Sequence, residues 1–311
     1  MWACVVLLWC RCSNFVPVLF NRCCAGLAAA PRERLRPAAG QGAHTGRMLD
    51  NIKKDFTTTA AAASAPAGQQ GCEGLTIFVL HVRQGYDDRR RHMDAMMQAH
   101  GLHFEYVLED DKSDLTPDVV GRYFAGDMAR VQAATSCAAK HLAAYRRIVE
   151  RNLEGALILE DDMLLHRDFN RVMGECLAEV RRRHLDGALC SLEDSLLKFV
   201  PRSQRRRGVH LYPAQRDRLG GAYYCTRGAA MTILAEAERR KCDRPIDRFH
   251  SLLLSQGLMG YYWCHPCIAS QGTACGRFCS SIDRRGRRKQ RYRRRMWRFK
   301  LAYKRLVYYL R

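Results

Sequence analysis

The chain has 311 residues, of which 47% are hydrophobic and 27% charged. That is a globular composition, long enough for one large domain or two small ones, and it excludes a disordered chain. The net charge of +21 is unevenly placed, because residues 284–311 hold fourteen Lys or Arg and no Asp or Glu. A basic tail of this kind predicts attraction to an anionic lipid surface or a nucleic acid and carries no information about fold. The fifteen cysteines are odd in number and irregularly spaced, which argues against a disulfide framework and points to a reducing compartment.

Residues 2–10 are apolar and Ala28, Ala29 and Ala30 resemble a small-residue cleavage site, but no basic residue precedes the run. Arg11, Asn14, Asn21 and Arg22 interrupt it, so the roughly 18 uninterrupted apolar residues needed to cross a bilayer are missing. Two stretches rich in Ala, Gly, Pro, Thr and Gln follow, without apolar period. Residues 1–73 are therefore expected to be a disordered or leader segment, with Met48 as an alternative start.

Order is expected from residues 75–80, a continuous apolar run suited to a buried strand. A helix carrying Met93, Met96 and Met97 follows Gly85, and residues 104–108 read as a second strand. Residues 129–152 predict a long helix, with Val131, Ala134, Ala138, Leu142, Tyr145 and Val149 as its apolar stripe. Arg146, Arg147 and Arg151 near its C-terminal end complement the dipole, and Gly155 is expected to stop it. A third strand runs from Ala156 into Glu160, Asp161 and Asp162. Strand, helix, strand, helix, strand is the order of an α/β sheet with parallel pairs, in which ligands gather beyond the carboxyl ends of strands.

Further on, residues 169–184 predict a helix and residues 187–192 a strand that again ends in acids, Glu193 and Asp194. Residues 202–208 form a basic loop. Residues 220–226 give a strand after a glycine turn and residues 229–241 a helix with Met231, Ile233, Leu234 and Ala237 inside. Pro245 is expected to end that helix, and Tyr261, Tyr262 and Trp263 form a last strand. No internal repeat is present.

The acid triplet draws the chemistry. Glu160 and Asp162 would point to one side if the strand continued, and hard oxygen ligands at that spacing suit Mg²⁺ or Mn²⁺ carrying a phosphate. The alternative is an exposed acidic turn.

The segments 136–141, 156–162, 221–229 and 245–247, in this order, resemble the family-25 glycosyltransferases, which include bacterial lipooligosaccharide galactosyltransferases and collagen galactosyltransferases. The resemblance runs from about Leu75 to Ile282 and rests on several ordered motifs rather than one. It implies a GT-A-like α/β fold with a central, mostly parallel sheet, a UDP-sugar donor, usually UDP-galactose, and inversion at the anomeric carbon. The family's first strand, with its following Arg, maps onto His81, Val82 and Arg89, where base and ribose are expected. Its Gly-Cys-x-x-Ser-His motif maps onto residues 136–141, with Ser136 and Lys140 as departures and Cys137 and His141 retained. Pro266, Gln271, Ser281 and Ile282 resemble its closing pattern.

This resemblance implies roles. Asp162, with Glu160, is expected to hold Mn²⁺ or Mg²⁺ against the donor diphosphate; His81, Arg89, His141, Glu160 and Asp161 to bind the donor; and Asp247, Glu193 or Asp194 to take the acceptor's proton, Asp247 being preferred. For Asp247 the alternative is a turn or cap residue, for Glu193 and Asp194 a solvated loop, and for His141 a satisfied core histidine. Tyr223 and Tyr224 alternate, so one packs inward and the other is a candidate lining for the acceptor cleft.

Two other patterns compete. Cys264-His265-Pro266-Cys267 resembles a thioredoxin-like redox motif but stands too late in the chain. Cys264, Cys267, Cys275 and Cys279 offer a structural Zn²⁺ site as an alternative, with close pairs but a central gap shorter than in common zinc sites, and packed free thiols are the default. In the tail, Tyr292, Met296, Phe299, Tyr303, Leu306 and Leu310 recur at spacings of four and three, the mark of an interfacial helix on anionic lipid; a solvated tail is the alternative. No nucleic-acid module accompanies the charge, so nucleic acid is not the expected partner.

The domain plan is 1–73, then a transferase domain over 74–283, then a basic amphipathic tail over 284–311. The expected activity is transfer of a hexose from a UDP-sugar to a glycolipid acceptor in lipooligosaccharide core synthesis, by an enzyme peripheral to the cytoplasmic face of the membrane. The alternatives are a collagen-type protein glycosyltransferase of a secretory compartment and a basic nucleic-acid-binding protein with a degenerate transferase domain.

Overall fold

A computed structural model describes residues 71–279 and 287–311. Expectations that fall on residues 1–70, and on Ser281 and Ile282, lie outside the described residues. A seven-stranded sheet forms the centre: β1 (Ile77–Leu80), β2 (Glu105–Val107), β3 (Gly155–Glu160), β5 (Ala188–Ser191), β6 (Leu211–Pro213), β7 (Ala222–Thr226) and β8 (Gly260–Cys264), in the order β2-β1-β3-β7-β5-β8-β6. β2, β1, β3, β5 and β8 run one way, while β7 and β6 run the other. β4 (Met163–Leu165) and β9 (Ala269–Gln271) pair antiparallel beside it. This is the GT-A-like α/β fold with a mostly parallel central sheet.

The strands are apolar on both faces because helices cover both. Phe78, Ile158, Tyr223 and Cys225 pack against α3 (Ala133–Glu150), α5 (Arg227–Arg240) and α6 (Ile246–Ser255). Ile77, Val79, Leu157, Leu159 and Tyr224 pack on the other face, against α1 (Asp87–His100) and α4 (Phe169–Arg182). Each such Leu, Ile or Phe side chain contributes about 1.5–3 kcal/mol when removed from water. The two faces thus make one continuous support for the strand ends. Tyr223 and Tyr224 are both buried on opposite faces; Tyr223 packs inward, and Tyr224 borders a cavity of about 450 Å³ with Leu177 and Arg181, away from the acid triplet.

Several local expectations are corrected by tertiary context. The long helix starts at Ala133 after a short 3₁₀ turn, leaving Val131 exposed, and near its other end Ile148 is buried although it lies outside the predicted stripe. Gly155 does not stop that helix but opens β3, where a Cβ would lie 2.6 Å from the Tyr224 hydroxyl oxygen and 2.5 Å from the Cys225 carbonyl. Arg146, Arg147 and Arg151, besides standing near the helix C-terminus, pair with Asp110, Glu109 and Glu105 in β2 and the loop that follows it. Met231 is exposed, whereas Ile233 and Ala237 are buried as expected.

Pro245 follows the break rather than making it. α5 ends at Arg240, with Lys241 at φ 63°, and Pro245 is the N-cap of α6, where a missing N–H costs no helical bond. The helix α6 was hidden because Pro245 reads locally as a terminator. α2 (Pro117–Tyr123), β4, β6 and β9 are likewise too short to leave a periodic signal. The last helix, α7 (Arg287–Leu310), covers the basic tail. Among the described residues no helix is long and apolar enough to cross a membrane.

Candidate active site

The acid triplet closes β3. The strand ends at Glu160, whose N–H donates to the Gly221 carbonyl at 2.8 Å, and the chain turns through Asp161 and Asp162 into β4. The period-two alternation therefore stops at Glu160, and each acid acquires its own partners.

Asp161 is the ion-paired member. His81, just past the end of β1, places Nδ1 2.8 Å from Asp161 Oδ2, and Arg89, in the first turn of α1, donates to Oδ1 at 2.6 Å. Arg89 also donates to the Cys279 carbonyl at 2.6 Å, tying the segment after β9 over the triplet. Burial works against the guanidinium's charge, but Asp161 and the other two acids hold its pKa above the usual value.

Asp162 points into that segment. Its Oδ2 accepts the Thr273 N–H at 3.0 Å and its carbonyl accepts the Gly272 N–H at 2.8 Å. A Cβ on Gly272 would lie 2.6 Å from that carbonyl and 2.5 Å from the Phe278 ring, so this approach needs a glycine. Asp162 is 1% exposed and its Oδ1 has no hydrogen-bond partner among the described residues. Burial, and then the neighbouring Glu160, push its carboxyl up to about 6.

Glu160 turns towards α3. Its Oε2 accepts from Gln271 Nε2 at 3.0 Å, while Oε1 lies 3.8 Å from both Cys137 Sγ and His141 Nε2. Burial, followed by Asp161, raises its pKa. Gln271, placed by the β4–β9 pair, thus reaches Glu160, a contact that its place in the closing pattern did not announce.

His141 is fully buried and heads a line of polar groups through the core. Its Nδ1 lies 2.6 Å from the Tyr223 hydroxyl, which meets the Tyr145 hydroxyl at 2.5 Å; that in turn lies 2.8 Å from His250 Nε2. Burial pushes both imidazoles down to about 3, so both are neutral at pH 7. Sequence reasoning missed Tyr145 and His250 as polar members of the site, because one sat in an apolar stripe and the other in an unrecognised helix.

The candidate bases separate. Asp247, in the first turn of α6, is half-buried, and burial raises its pKa, with smaller contributions from Asp217 and Glu160. Its charge acts on both Cys137 and His141, and Glu160 acts on it in turn, so α6 brings Asp247 into the neighbourhood of Glu160. Glu193 is wholly buried behind Glu160, accepts the N–H groups of Gly221 and Ala222 at 2.8 and 3.2 Å, and is pushed by burial up to about 8. Asp194 is turned the other way. It accepts from the Ser270 hydroxyl at 2.7 Å, which also lies 2.9 Å from His166, and Arg305 of α7 approaches to 3.6 Å.

The two departures in the α3 motif are explained by position. Ser136 Oγ donates to the Asp110 carbonyl at 2.7 Å, and Lys140, 3% exposed, donates to the Glu109 carbonyl at 2.7 Å and sits 2.7 Å from Asp111. Both fix the loop after β2, leaving Cys137 and His141 to face Glu160.

The cysteine pattern near the end is structural. Cys264 ends β8 and lies 3.5 Å from Cys176, with both thiols free, and Cys267 accepts from the buried Arg218 at 3.3 Å. Cys264 sits on a strand, not at a helix N-terminus, so nothing activates it as a redox cysteine. Among the described residues the four late cysteines do not converge as ligands. The one group of three or more metal-ligating side chains found there is Cys137, His141 and Glu160, with ligand atoms within 4.8 Å of one another.

Carboxylates desolvated at the carboxyl end of β3, one of them ion-paired with Arg89, stand where ligands gather in an α/β sheet, here one of the GT-A-like class. Residues 76–248, more than half of the chain, match the model of glycosyltransferase family 25 (LPS biosynthesis protein), and the chain belongs to that family. It is a glycosyltransferase. No curated protein matches the chain.

Proposed function

We propose that the protein transfers a hexose, galactose in the first instance, from a UDP-sugar to a glycolipid acceptor with inversion, in assembly of a lipooligosaccharide or lipopolysaccharide core. The observation that carries this reading is the charge state of the triplet: three carboxylates at one strand end with only Asp161 fully ion-paired. The surplus negative charge around Glu160 and Asp162 calls for a cation. Both offer hard carboxylate oxygens of the kind Mg²⁺ or Mn²⁺ takes, and the buried, unpartnered Asp162 Oδ1 fits a metal ligand. When bound, such a cation neutralises the charge that develops on the leaving diphosphate.

The chain's own residues do the rest. Arg89, held by Asp161, adds fixed positive charge beside the diphosphate, and His81 keeps Asp161 in place from the other side. Asp247, exposed enough to meet an acceptor and raised in pKa, takes the acceptor hydroxyl's proton as the new bond forms. Glu193 holds the turn before β7 through the Gly221 and Ala222 amides, and so supports the strand next to the triplet.

The acceptor's membrane is met by α7. Tyr292, Phe299, Tyr303, Leu306 and Leu310 are 55–76% exposed on a helix studded with Arg and Lys. The docking contacts use other positions: Tyr308 against Phe199, Arg202 over Tyr309, and Arg305 towards Asp194. The free aromatic stripe with its basic flanks suits an anionic bilayer surface, at the cytoplasmic face in this reading. The deciding experiment offers purified protein a panel of UDP-sugars with and without Mn²⁺. Metal-dependent hydrolysis of one donor, lost in Asp162→Asn, is the expected result; absence of turnover with every UDP-sugar, or turnover indifferent to chelator, rejects it.

A further inference from the structure

Cys137 and His141 lie four residues apart on α3 and therefore share one face of that helix. Glu160 arrives opposite them from the end of β3. Three different ligand types, a thiol, an imidazole and a carboxylate, so converge on one point, with Glu160 Oε1 3.8 Å from both Cys137 Sγ and His141 Nε2. The nitrogen–oxygen distance is too long for a hydrogen bond. It is close to the separation of two ligands on a common ion, because bonds of about 2.0–2.3 Å to a tetrahedral Zn²⁺ put ligand atoms roughly 3.4–3.6 Å apart. For these two pairs a contraction of a few tenths of an ångström reaches that separation, and all three ligand atoms lie within 4.8 Å of one another.

An independent observation points to the same ligand. His141 is 0% exposed, yet its Nε2 has no hydrogen-bond partner among the described residues and is aimed at Glu160. Its other ring nitrogen is engaged by Tyr223, whose hydroxyl is itself held by Tyr145. That is the arrangement of a metal-ligating histidine: Nδ1–H donates to an outer oxygen, and the Nε2 lone pair faces the ion. An orphaned imidazole nitrogen in a core is otherwise costly. Cys137 and Glu160 are each half-buried, so an ion can reach the point. Beyond it, a Cβ on Gly220 would lie 3.8 Å from His141 Nε2, so that side is lined by backbone rather than by a bulky side chain.

We propose that Cys137, His141 and Glu160 form a three-ligand site for a borderline-soft divalent cation of the Zn²⁺ class, distinct from the hard Mg²⁺ or Mn²⁺ assigned above to Asp162. Three protein ligands leave a fourth position open. Mg²⁺ does not take thiolate, so the two sites select different ions, although Glu160 borders both. The inference rests on the Cys137–His141–Glu160 geometry and not on the donor or the reaction.

Co²⁺ reports on such a site without any sugar substrate, because cysteine thiolate bound to Co²⁺ gives a near-ultraviolet charge-transfer band. Titration of the full-length, metal-stripped and reduced protein is expected to develop that band with saturation at one equivalent. Zn²⁺ is expected to abolish it and Mg²⁺ in large excess to leave it unchanged. Cys137→Ser removes the band, Glu160→Gln keeps it but weakens Co²⁺ binding at least tenfold, and Asp162→Asn leaves both unchanged. Absence of the band in the native protein, or a band of the same strength in a folded Cys137→Ser variant, overturns the site. Circular dichroism of each variant separates loss of ligand from loss of fold. Because no UDP-sugar is present, failure here leaves the proposed transfer reaction standing, and failure of the donor screen leaves this site standing.

Discussion

Two pairs of side chains on α3, offset by one residue, have opposite surroundings. Ser136 and Lys140 face the loop after β2 and are taken up by its carbonyls and by Asp111. Cys137 and His141 face Glu160 across distances too long for strong hydrogen bonds, and the histidine's Nε2 has no hydrogen-bond partner among the described residues. The helix thus presents one face that is complete by itself and, a hundred degrees around, one that is complete only with something added. Polar residues at the same helical period can be scaffold or site, and partner satisfaction distinguishes them better than spacing.

The largest effect that can break this contrast is chemical. Asp162→Asn removes the negative charge that the proposed function gives to the cation while keeping an acceptor for the Thr273 N–H, and is expected to lower donor turnover by about 10³-fold with little change in melting temperature. A melting temperature that collapses while the surviving fraction turns over normally would place Asp162 with the scaffold. Asp247→Asn is expected next, at roughly 10²-fold or more in kcat with KM for the donor retained, and with loss of the acid limb of the pH–rate profile. An unchanged pH profile assigns the base elsewhere.

Lys140→Met tests the scaffold face. Removing the ammonium strips Asp111 Oδ1 of its buried partner, while Arg83 stays paired with Oδ2, and costs about 3 kcal/mol. The expected signature is a melting temperature lowered by roughly 10 °C, with donor affinity retained in the folded fraction. Unchanged stability with lost donor binding would move Lys140 to the site.

Glu193 offers a pH test. Its folded-state pKa, about 8, lies above the ordinary 4.5, so the folded protein binds the proton more tightly than the unfolded chain. The stability this contributes is complete below pH 4.5 and is lost as pH rises towards 8. The buried neutral His141 and His250 act in the opposite sense, losing stability as pH falls below their ordinary 6.5. The difference between native protein and Glu193→Gln therefore isolates the carboxyl: native minus variant melting temperature should fall by several degrees between pH 5 and 8. A difference flat with pH means that Glu193 is ionised throughout.

The smallest effect concerns α7. Phe299→Ser with Tyr303→Ser is expected to weaken binding to vesicles containing anionic lipid by about tenfold, in a salt-sensitive manner, with turnover of a soluble donor unchanged. Equal binding to neutral vesicles would reject the surface reading.

Much of this was legible in the chain. The run ending in Glu160, Asp161 and Asp162 announces a buried strand with acids at its end, because four apolar residues between Gly155 and the charges are too few for a helix and suit a buried strand. The alternation of strands and helices announces the parallel sheet, and the ordered motifs announce the family. Asp247 was nameable but its setting was not: the helix that carries it follows a proline that reads locally as a stop. Gln271 was visible as part of a motif, whereas Thr273, Tyr145 and His250 carried no local sign of their roles.

By itself, then, the sequence determined the α/β class, the acids at the strand end and the basic amphipathic tail, all of which follow from local period and composition. Only the tertiary structure decided how the acids divide their labour. Asp161 is ion-paired because Arg89 and His81 come from 70 to 80 positions away, Asp162 meets Thr273, and Glu160 meets Gln271, Cys137 and His141. Three adjacent carboxylates are chemically alike in the chain; desolvation and distant partners make them different, and neither is encoded by the residues next door.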